Sequence, residues 1–181
     1  MPAEPAVDTD QTSEENQLAV EEPQVEQAVV VSPDWYSYDL TDINTGAVFS
    51  IEDYSGKVVL IETMAVWCGN CLKQQLEVAK LHELLGGRDD LISIGIDIDP
   101  NEDVPKLTEF VRNNGFNWRY VVASDQLIND ISALYGSQYL NPPSTPMLII
   151  DRHGEAHQLP FRVKSAESLL NALQSFLDES V

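Results

Sequence analysis

Cys68 and Cys71 are the only two cysteines in the chain, and they flank a Gly-Asn dipeptide directly after a tryptophan. An apolar run over residues 58–66 precedes them, and apolar residues at helical spacing follow over 72–84. This pattern predicts a buried strand that leads into a helix with Cys68 at its N-terminus. Residues i and i+3 of a first helical turn lie roughly 5 to 5.5 Å apart at Cα, within the range of a disulfide. The spacing therefore predicts a disulfide that opens and closes with little backbone movement.

The two cysteines are expected to have different roles. Unpaired N–H groups and the positive end of the helix dipole favour a thiolate at Cys68 and lower its pKa. Cys68 is therefore the expected nucleophile. Cys71, one turn further into the helix, is placed to attack a mixed disulfide at Cys68 and to release the reduced partner.

Other uses of a cysteine pair are less favoured. A zinc site requires further ligands, but a second CxxC is absent and the three histidines, His82, His153 and His157, lack the usual finger spacing. A static disulfide across two residues closes too small a loop to stabilise the fold appreciably. A copper- or zinc-handling binding module, with His153 and His157 joining the thiolates, remains the alternative function. An interaction domain without turnover is a third.

The charge of the chain limits its partners. The net charge is −20, from 30 acidic and 10 basic residues, which argues against nucleic acid or an anionic membrane as a direct partner. Residues 1–33 carry eight acidic and no basic residues, and we interpret them as a disordered tether. One ordered domain is expected over 34–181.

No stretch reaches the roughly 18 apolar residues of a membrane helix, and no secretory signal pattern opens the chain. An acidic tether directly before a redox domain nevertheless suits a protein that lies outside the cytoplasm, and a cytosolic protein is the alternative. We therefore expect an extracytoplasmic protein, in the periplasm or on the outer face of the cytoplasmic membrane and tethered there. Its targeting segment is expected to be missing from this sequence.

The remaining pattern alternates strands and helices. An Asn44-Thr45-Gly46 turn predicts an N-terminal β-hairpin, and the cysteine helix between two buried apolar runs predicts parallel strands. The predicted elements are hairpin strands in 35–40 and 47–51, a strand at 58–66, a helix ending at Gly86, a strand at 91–97, a helix at 104–113, a strand at 118–123, a helix at 127–135, strands at 147–150 and near 158–163, and a helix capped by Ser165 and ending at Leu177.

With WCxxC at a strand-to-helix junction, Thr145-Pro146 before an apolar strand and a glycine-bearing hairpin after it, the chain resembles the thioredoxin superfamily over about 35–177. The N-terminal hairpin and an extra helix and strand between Asp99 and Asp125 look most like the TlpA/ResA-type thiol-disulfide oxidoreductases. This resemblance implies an α/β thioredoxin-like fold, in which helices flank a central mixed β-sheet.

The resemblance also implies roles for individual residues. Cys68 matches the attacking cysteine, Cys71 the resolving cysteine, and Trp67 the tryptophan that shields the active-site surface. Gly69 and Asn70, between the cysteines, are expected to contact substrate as well. Many relatives have a proline in this dipeptide and this chain has none.

Pro146 matches the cis-proline that faces the disulfide in this superfamily, although Pro142 and Pro143 lie nearby. Pro146 is favoured because it directly precedes the apolar strand at 147–150. Thr145 would then offer its backbone to an extended substrate peptide by strand-like pairing. The segment 136–144 is longer than usual for the family.

The family resemblance implies substrates and an electron donor. Members usually reduce disulfides in exported proteins, including the haem-binding cysteines of apocytochrome c, with electrons from a membrane-embedded thiol reductase. We therefore expect a monomeric reductase that contributes to cytochrome c biogenesis or cell redox homeostasis. The disulfide itself would be its redox group, and no cofactor or metal is expected.

Glu62 interrupts the apolar run that precedes the cysteines. A buried, unpaired carboxylate raises its pKa and takes up a proton. Its position, six residues before Cys68, matches the buried acid that exchanges a proton with the resolving cysteine in thioredoxins. Glu62 is therefore a candidate general base and acid for Cys71. In the alternative, Glu62 reaches the sheet edge or a cation such as Lys57.

Overall fold

The computed structural model describes residues 32–179. Seven strands and four α-helices are found in this part of the chain, together with short 3₁₀ turns. In chain order they are β1 (Leu40–Thr41), β2 (Val48–Phe49), β3 (Val58–Met64), α1 (Gly69–Leu85), β4 (Leu91–Asp97), α2 (Val104–Asn114), β5 (Arg119–Val122), α3 (Asp125–Tyr135), β6 (Met147–Ile150), β7 (Ala156–Gln158) and α4 (Ala166–Asp178).

The main sheet has five strands in the order β5-β4-β3-β6-β7, so β3 lies at its centre. β3, β4 and β5 are parallel, whereas β6 and β7 run antiparallel to their neighbours. β1 and β2 form a separate antiparallel hairpin. This is the mixed sheet flanked by helices of the thioredoxin-like fold, as predicted.

Both faces of β3 are buried, and alternate residues point to opposite faces. Val59 and Ile61 pack on the side of α3, whereas Val58 and Leu60 pack on the side of α1 and α4. Glu62 continues the second series. The register of the strand therefore directs its carboxyl group towards α1, the helix that carries the cysteines.

The helix boundaries follow local signals in the sequence. Cys68 is the N-cap of α1, and Gly86 ends this helix in the left-handed conformation with φ 66°. Asp103, Ser124 and Ser165 cap α2, α3 and α4 through side chains that accept main-chain N–H groups. None of the described helices is long and apolar enough to cross a membrane.

Two predictions about strands were wrong in extent. The N-terminal hairpin has strands of only two residues, and Asp34–Ser37 forms a 3₁₀ turn that buries Trp35 and Tyr36. The strand predicted near 158–163 is instead Ala156–Gln158. Pro160 lacks an N–H group and cannot extend the ladder. Of the predicted tether, only residues 32 and 33 lie within the described residues.

Candidate active site

The two cysteines form a disulfide at the N-terminus of α1, with their Cα atoms 5.2 Å apart. The Sγ atom of Cys68 accepts the main-chain N–H of Cys71 at 3.1 Å. The helix N-terminus thus donates a hydrogen bond to the sulfur that was predicted to be nucleophilic, which favours a thiolate there. Cys68 is 2% exposed and Cys71 is fully buried.

The loop after β4 holds the residues that precede Cys68. Trp67 is 60% exposed, and its Nε1 donates to Asp99 Oδ2 at 2.5 Å. The main-chain N–H of Val66 donates to Glu102 Oε2 at 2.7 Å. Hydrogen bonds from Asn101 and Trp67 lower the pKa of Asp99. This acidic loop was not predicted to belong to the site, because only the parallel pairing of β3 and β4 brings the two segments together.

Glu62 is buried, as the sequence predicted, and lies beneath α1. Its Oε2 accepts a hydrogen bond from the Gln75 side chain, and its Oε1 has no hydrogen-bond partner among the described residues. Gln75 lies one turn after Cys71, and residues four apart share one face of a helix. Burial raises the pKa of Glu62 well above its ordinary value, although Gln75 and then Lys164 act to lower it. Glu62 therefore lies against the turn of α1 that follows Cys71, as an acid that tends to hold a proton.

Gln75 connects Glu62 to two aromatic residues. Its Oε1 accepts from the Tyr120 hydroxyl group and from Trp118 Nε1, the latter at 3.1 Å. Gly95 makes room for this arrangement, since a Cβ there would lie 2.5 Å from the Tyr120 ring. With its oxygen occupied, the Gln75 amide can only present its NH₂ group to Glu62.

The Glu62 carboxyl group is buried away from the sheet edge, and Lys57 is not the cation that acts on it. The structure places Lys57 elsewhere, with its Nζ donating to the Asp89 carbonyl at 2.9 Å. The cation that acts on Glu62 is Lys164, in the segment between β7 and α4. No sequence pattern pointed to Lys164, because it lies 102 residues after Glu62 and only the folding of the chain brings them together.

Thr145 and Pro146 are both buried where β6 begins. The Pro146 carbonyl accepts the Thr63 N–H at 3.3 Å, which ties this turn to β3. The Thr145 N–H donates to the Pro142 carbonyl at 2.8 Å, and its carbonyl accepts from Lys164 Nζ, also at 2.8 Å. Both main-chain groups of Thr145 thus have partners within the chain, and a substrate strand would have to compete with them.

The long segment before Pro146 contacts the cysteine helix directly. The Pro142 carbonyl lies 3.2 Å from Cys71 Sγ. Asn70 Nδ2 donates to the Pro143 carbonyl at 2.9 Å. The structure therefore brings Asn70 into the site through a contact with the chain itself. Pro142 and Pro143 lie beside the disulfide, although the sequence suggested them only as competitors of Pro146.

The histidines of the metal-handling alternative lie at the other end of the sheet. His157 bonds Asp151 at 2.8 Å and His153 bonds Glu179 at 3.1 Å. Both follow β6, whose last residue pairs with Val59 near the start of β3, whereas the cysteines follow the end of β3. Asp151, Glu155 and His157 are the one group in residues 32–179 with metal-ligand spacing, and it includes neither cysteine. The histidines therefore give no support to a metal site built on the cysteines.

Comparison with known protein families found a model described as Redoxin that matches residues 22–161. No curated protein sequence matched the chain.

Three solved structures illustrate the likeness in fold. A thiol:disulfide interchange protein of Chlorobium tepidum is 18% identical with a TM-score of 0.61, covering 77% of this chain and 92% of that one. A secreted disulfide oxidoreductase of Mycobacterium tuberculosis, described as homologous to E. coli DsbE, is 16% identical with a TM-score of 0.60, covering 80% and 99%. A DsbF homologue from Corynebacterium diphtheriae is 20% identical with a TM-score of 0.59, covering 76% and 84%.

Proposed function

Since this chain belongs to the redoxin family, we propose that it reduces or exchanges disulfides in proteins outside the cytoplasm. Thiol-disulfide oxidoreductase activity follows from membership of the family together with the cysteine pair. One observation carries the proposal: Cys68 and Cys71 form a disulfide at a helix N-terminus that donates a hydrogen bond to the Cys68 sulfur.

The reaction begins with the reduced enzyme. The Cys68 thiolate attacks one sulfur of the substrate disulfide, forms a mixed disulfide, and expels the other substrate sulfur as a thiolate. Cys71 then loses its proton and attacks the Cys68 sulfur of the mixed disulfide. The Cys68–Cys71 bond forms, the bond to substrate breaks, and the second substrate sulfur leaves as a thiolate. Two electrons pass to the substrate, and the enzyme ends as the disulfide.

Glu62 is proposed to manage the proton of Cys71. In its ionised form it accepts this proton as Cys71 attacks, and it returns the proton when the enzyme is reduced again. Its position beneath the turn that follows Cys71 and its raised pKa support this role. The raised pKa brings the carboxyl group closer to the range in which thiols titrate.

Substrate contacts are proposed for the residues around the disulfide. Trp67 and the dipeptide Gly69-Asn70 are exposed to solvent beside Cys68. Thr145 and Pro146 would contribute the strand edge, once the internal partners of Thr145 give way.

Location and partners complete the proposal. An extracytoplasmic site of action is supported by the secreted Mycobacterium tuberculosis protein with the same fold and by the acidic N-terminal segment. The substrates would be disulfide-containing exported proteins, among them apocytochrome c. Electrons would come from a membrane-embedded thiol reductase. The protein would act as a monomer tethered outside the membrane and need no cofactor besides its disulfide.

Insulin reduction by the purified chain, followed as turbidity, tests the proposal together with a metal analysis. We expect Cys68→Ser to lose at least roughly a thousandfold in rate, as for removal of a nucleophile. Cys71→Ser should instead accumulate a mixed disulfide with substrate, visible by mass spectrometry. Unchanged insulin reduction in Cys68→Ser, or stoichiometric copper or zinc on the active protein, would contradict a thiol-disulfide exchange mechanism.

A further inference from the structure

Lys164 is half-buried between β7 and α4, and its backbone is fixed by the cysteine helix. Its N–H donates to Gln74 Oε1 at 2.8 Å, and its carbonyl accepts from Gln74 Nε2 at 3.1 Å. Gln74 is fully buried on α1. This pair of hydrogen bonds sets where the Lys164 side chain starts and leaves its ammonium group free to reach the turn before β6.

The ammonium group bonds two carbonyls in strained backbone. Lys164 Nζ donates to the Thr145 carbonyl at 2.8 Å and to the Arg162 carbonyl at 2.7 Å. Among residues 32–179, Thr145 and Arg162 are the only non-glycine residues with positive φ, at 48° and 85°. Such conformations cost roughly 1 to 3 kcal/mol and persist where surrounding contacts hold them. Lys164 supplies a contact to both.

The same ammonium group acts on Glu62. The titratable groups that act on this buried carboxyl group in the structure are Lys164, from the segment before α4, and Tyr120 of β5, while Gln75 of α1 is a neutral donor. In the reduced enzyme the thiol of Cys71, one turn before Gln75, joins them. Burial lowers the pKa of Lys164 to about 8, although the Glu62 charge opposes this effect. Lys164 thus keeps its charge at neutral pH and favours the ionised form of Glu62.

We propose that Lys164 is a positioning residue for the exchange reaction. Its ammonium group fixes the Thr145–Pro146 turn, in the segment whose Pro142 carbonyl contacts Cys71 Sγ, and stabilises the ionised form of Glu62. The inference rests on the proposed function and adds a residue that acts on both the substrate edge and the proton acceptor. Lys164 touches neither substrate nor sulfur, and it acts through Thr145 and Glu62.

Loss of the Lys164 charge should slow the second step of the reaction, the attack by Cys71 on the mixed disulfide. Glu62 accepts the proton of Cys71 only when it is ionised. Without the cation, fewer molecules carry ionised Glu62 at neutral pH, so resolution of the mixed disulfide slows there. The first step depends on the Cys68 thiolate at the helix N-terminus and should change little.

Stopped-flow reaction of the reduced full chain with dithiobis(nitrobenzoate) separates the two steps. Attack by Cys68 releases the first thionitrobenzoate, and attack by Cys71 on the mixed disulfide releases the second. We expect Lys164→Met to slow the second release roughly threefold to tenfold at neutral pH. Its pH profile, measured over roughly pH 6 to 9, should move to higher pH. The first release should keep its rate.

Two variants serve as controls. Lys164→Arg keeps the charge and the donors, and should restore the pH profile. Lys80→Met removes an exposed lysine of α1 that pairs with Glu77, and should leave both phases unchanged. The Michaelis constant for insulin should rise in Lys164→Met, because the turn at Thr145 loses its anchor, and should recover in Lys164→Arg.

The decisive comparison places Lys164→Met in a Glu62→Gln background, where the charge on which Lys164 acts is absent. There the substitution should cause no further pH shift in the second release. Equal slowing in both backgrounds would make Lys164 merely structural and overturn the proposal, as would an unchanged pH profile in Lys164→Met itself. These results leave the proposed function intact, because that function fails if Cys68 proves dispensable for insulin reduction or if the active protein holds stoichiometric copper or zinc.

Discussion

The two ends of the central sheet differ in how completely their buried ionisable side chains are hydrogen-bonded. At the end remote from the disulfide, Arg152 donates to the carbonyls of Phe176, Gly56 and Leu177 and to the carboxylate of Asp90, at 2.7 to 3.1 Å. At the disulfide end, the carboxyl groups of Glu62 and Asp97 each keep one oxygen without a partner in the described chain.

The strain in the backbone follows the same division. Thr145 and Arg162, the non-glycine residues of 32–179 with positive φ, both lie at the disulfide end. A buried charged group with all its hydrogen-bond partners holds strands and helices together. A buried carboxyl group that lacks a partner has a raised pKa, because its charged form is destabilised, and it can therefore take up a proton. One end of the sheet therefore stabilises the fold, whereas the other end carries out the chemistry at some cost in stability.

The largest change in stability is expected at the end of the sheet remote from the disulfide, where Arg152 has all its hydrogen-bond partners. Arg152→Met removes a side chain that is 9% exposed and leaves three carbonyls and Asp90 short of a donor. We expect a loss of about 3 to 5 kcal/mol in unfolding free energy, as for removal of one partner of a buried ion pair. Chemical denaturation measures it. The control Arg88→Met removes the more exposed partner of Asp90 and should cost less, about 1 kcal/mol or below.

Activity is the second measurement on Arg152→Met. Insulin reduction well below the unfolding temperature should match the wild type, because Arg152 lies at the far end of β6 from the disulfide. A loss of turnover without a loss of stability would mean that the two ends are not separate in function.

Much of the fold could be predicted from the sequence because its signals are local. β4 and β6 have the predicted bounds, and the cysteine helix ends at Gly86 as expected. The predictions failed where tertiary contacts decide. The N-terminal strands are short because Trp35 and Tyr36 lie in a 3₁₀ turn, which buries both side chains in the core.

The residues of the candidate site also fall into those with a local sequence signal and those that only tertiary contacts bring together. Cys68, Cys71 and Glu62 could be found from spacing and from a charge inside an apolar run. Asp99, Lys164 and Pro142 could not, because each reaches the site across strand pairing or a long loop. Their contacts depend on sheet order, and single-sequence periodicity does not specify which strands pair.

Asp97→Asn should change the unfolding free energy by an intermediate amount, and it should raise it, whereas Arg152→Met lowers it. Asp97 is 1% exposed, and burial, with Glu102 adding to it, raises its pKa to about 8. The folded chain therefore keeps a proton that the unfolded chain loses above about pH 4, so stability falls as pH rises from there to about 8. We expect Asp97→Asn to add about 1 to 2 kcal/mol at the upper end of this range. Chemical denaturation against pH measures it.

The matched control for Asp97 is Asp99, two residues away, because hydrogen bonds from Asn101 and Trp67 lower its pKa. Asp99→Asn should therefore give no gain in stability at any pH. A gain in Asp99→Asn equal to that in Asp97→Asn would mean that removal of any negative charge stabilises this acidic chain, whether or not the carboxyl group has its hydrogen-bond partners.

Arg162→Gly should give the smallest effect. At φ 85° the Arg162 backbone is strained, and glycine adopts this conformation freely at a cost of about 0.5 to 1 kcal/mol in unfolded-chain entropy. Its N–H bond to the Ser144 carbonyl, at 2.7 Å, involves the main chain alone and survives substitution. We therefore expect a gain of about 1 kcal/mol or less in unfolding free energy, measured by chemical denaturation, since strain of this kind costs roughly 1 to 3 kcal/mol.

Arg162→Ala is the control, because it removes the same side chain but keeps Cβ and the strain. Equal stability of the two variants would place no strain at Arg162 and would leave Thr145 and the carboxyl groups with missing partners as the cost at the disulfide end.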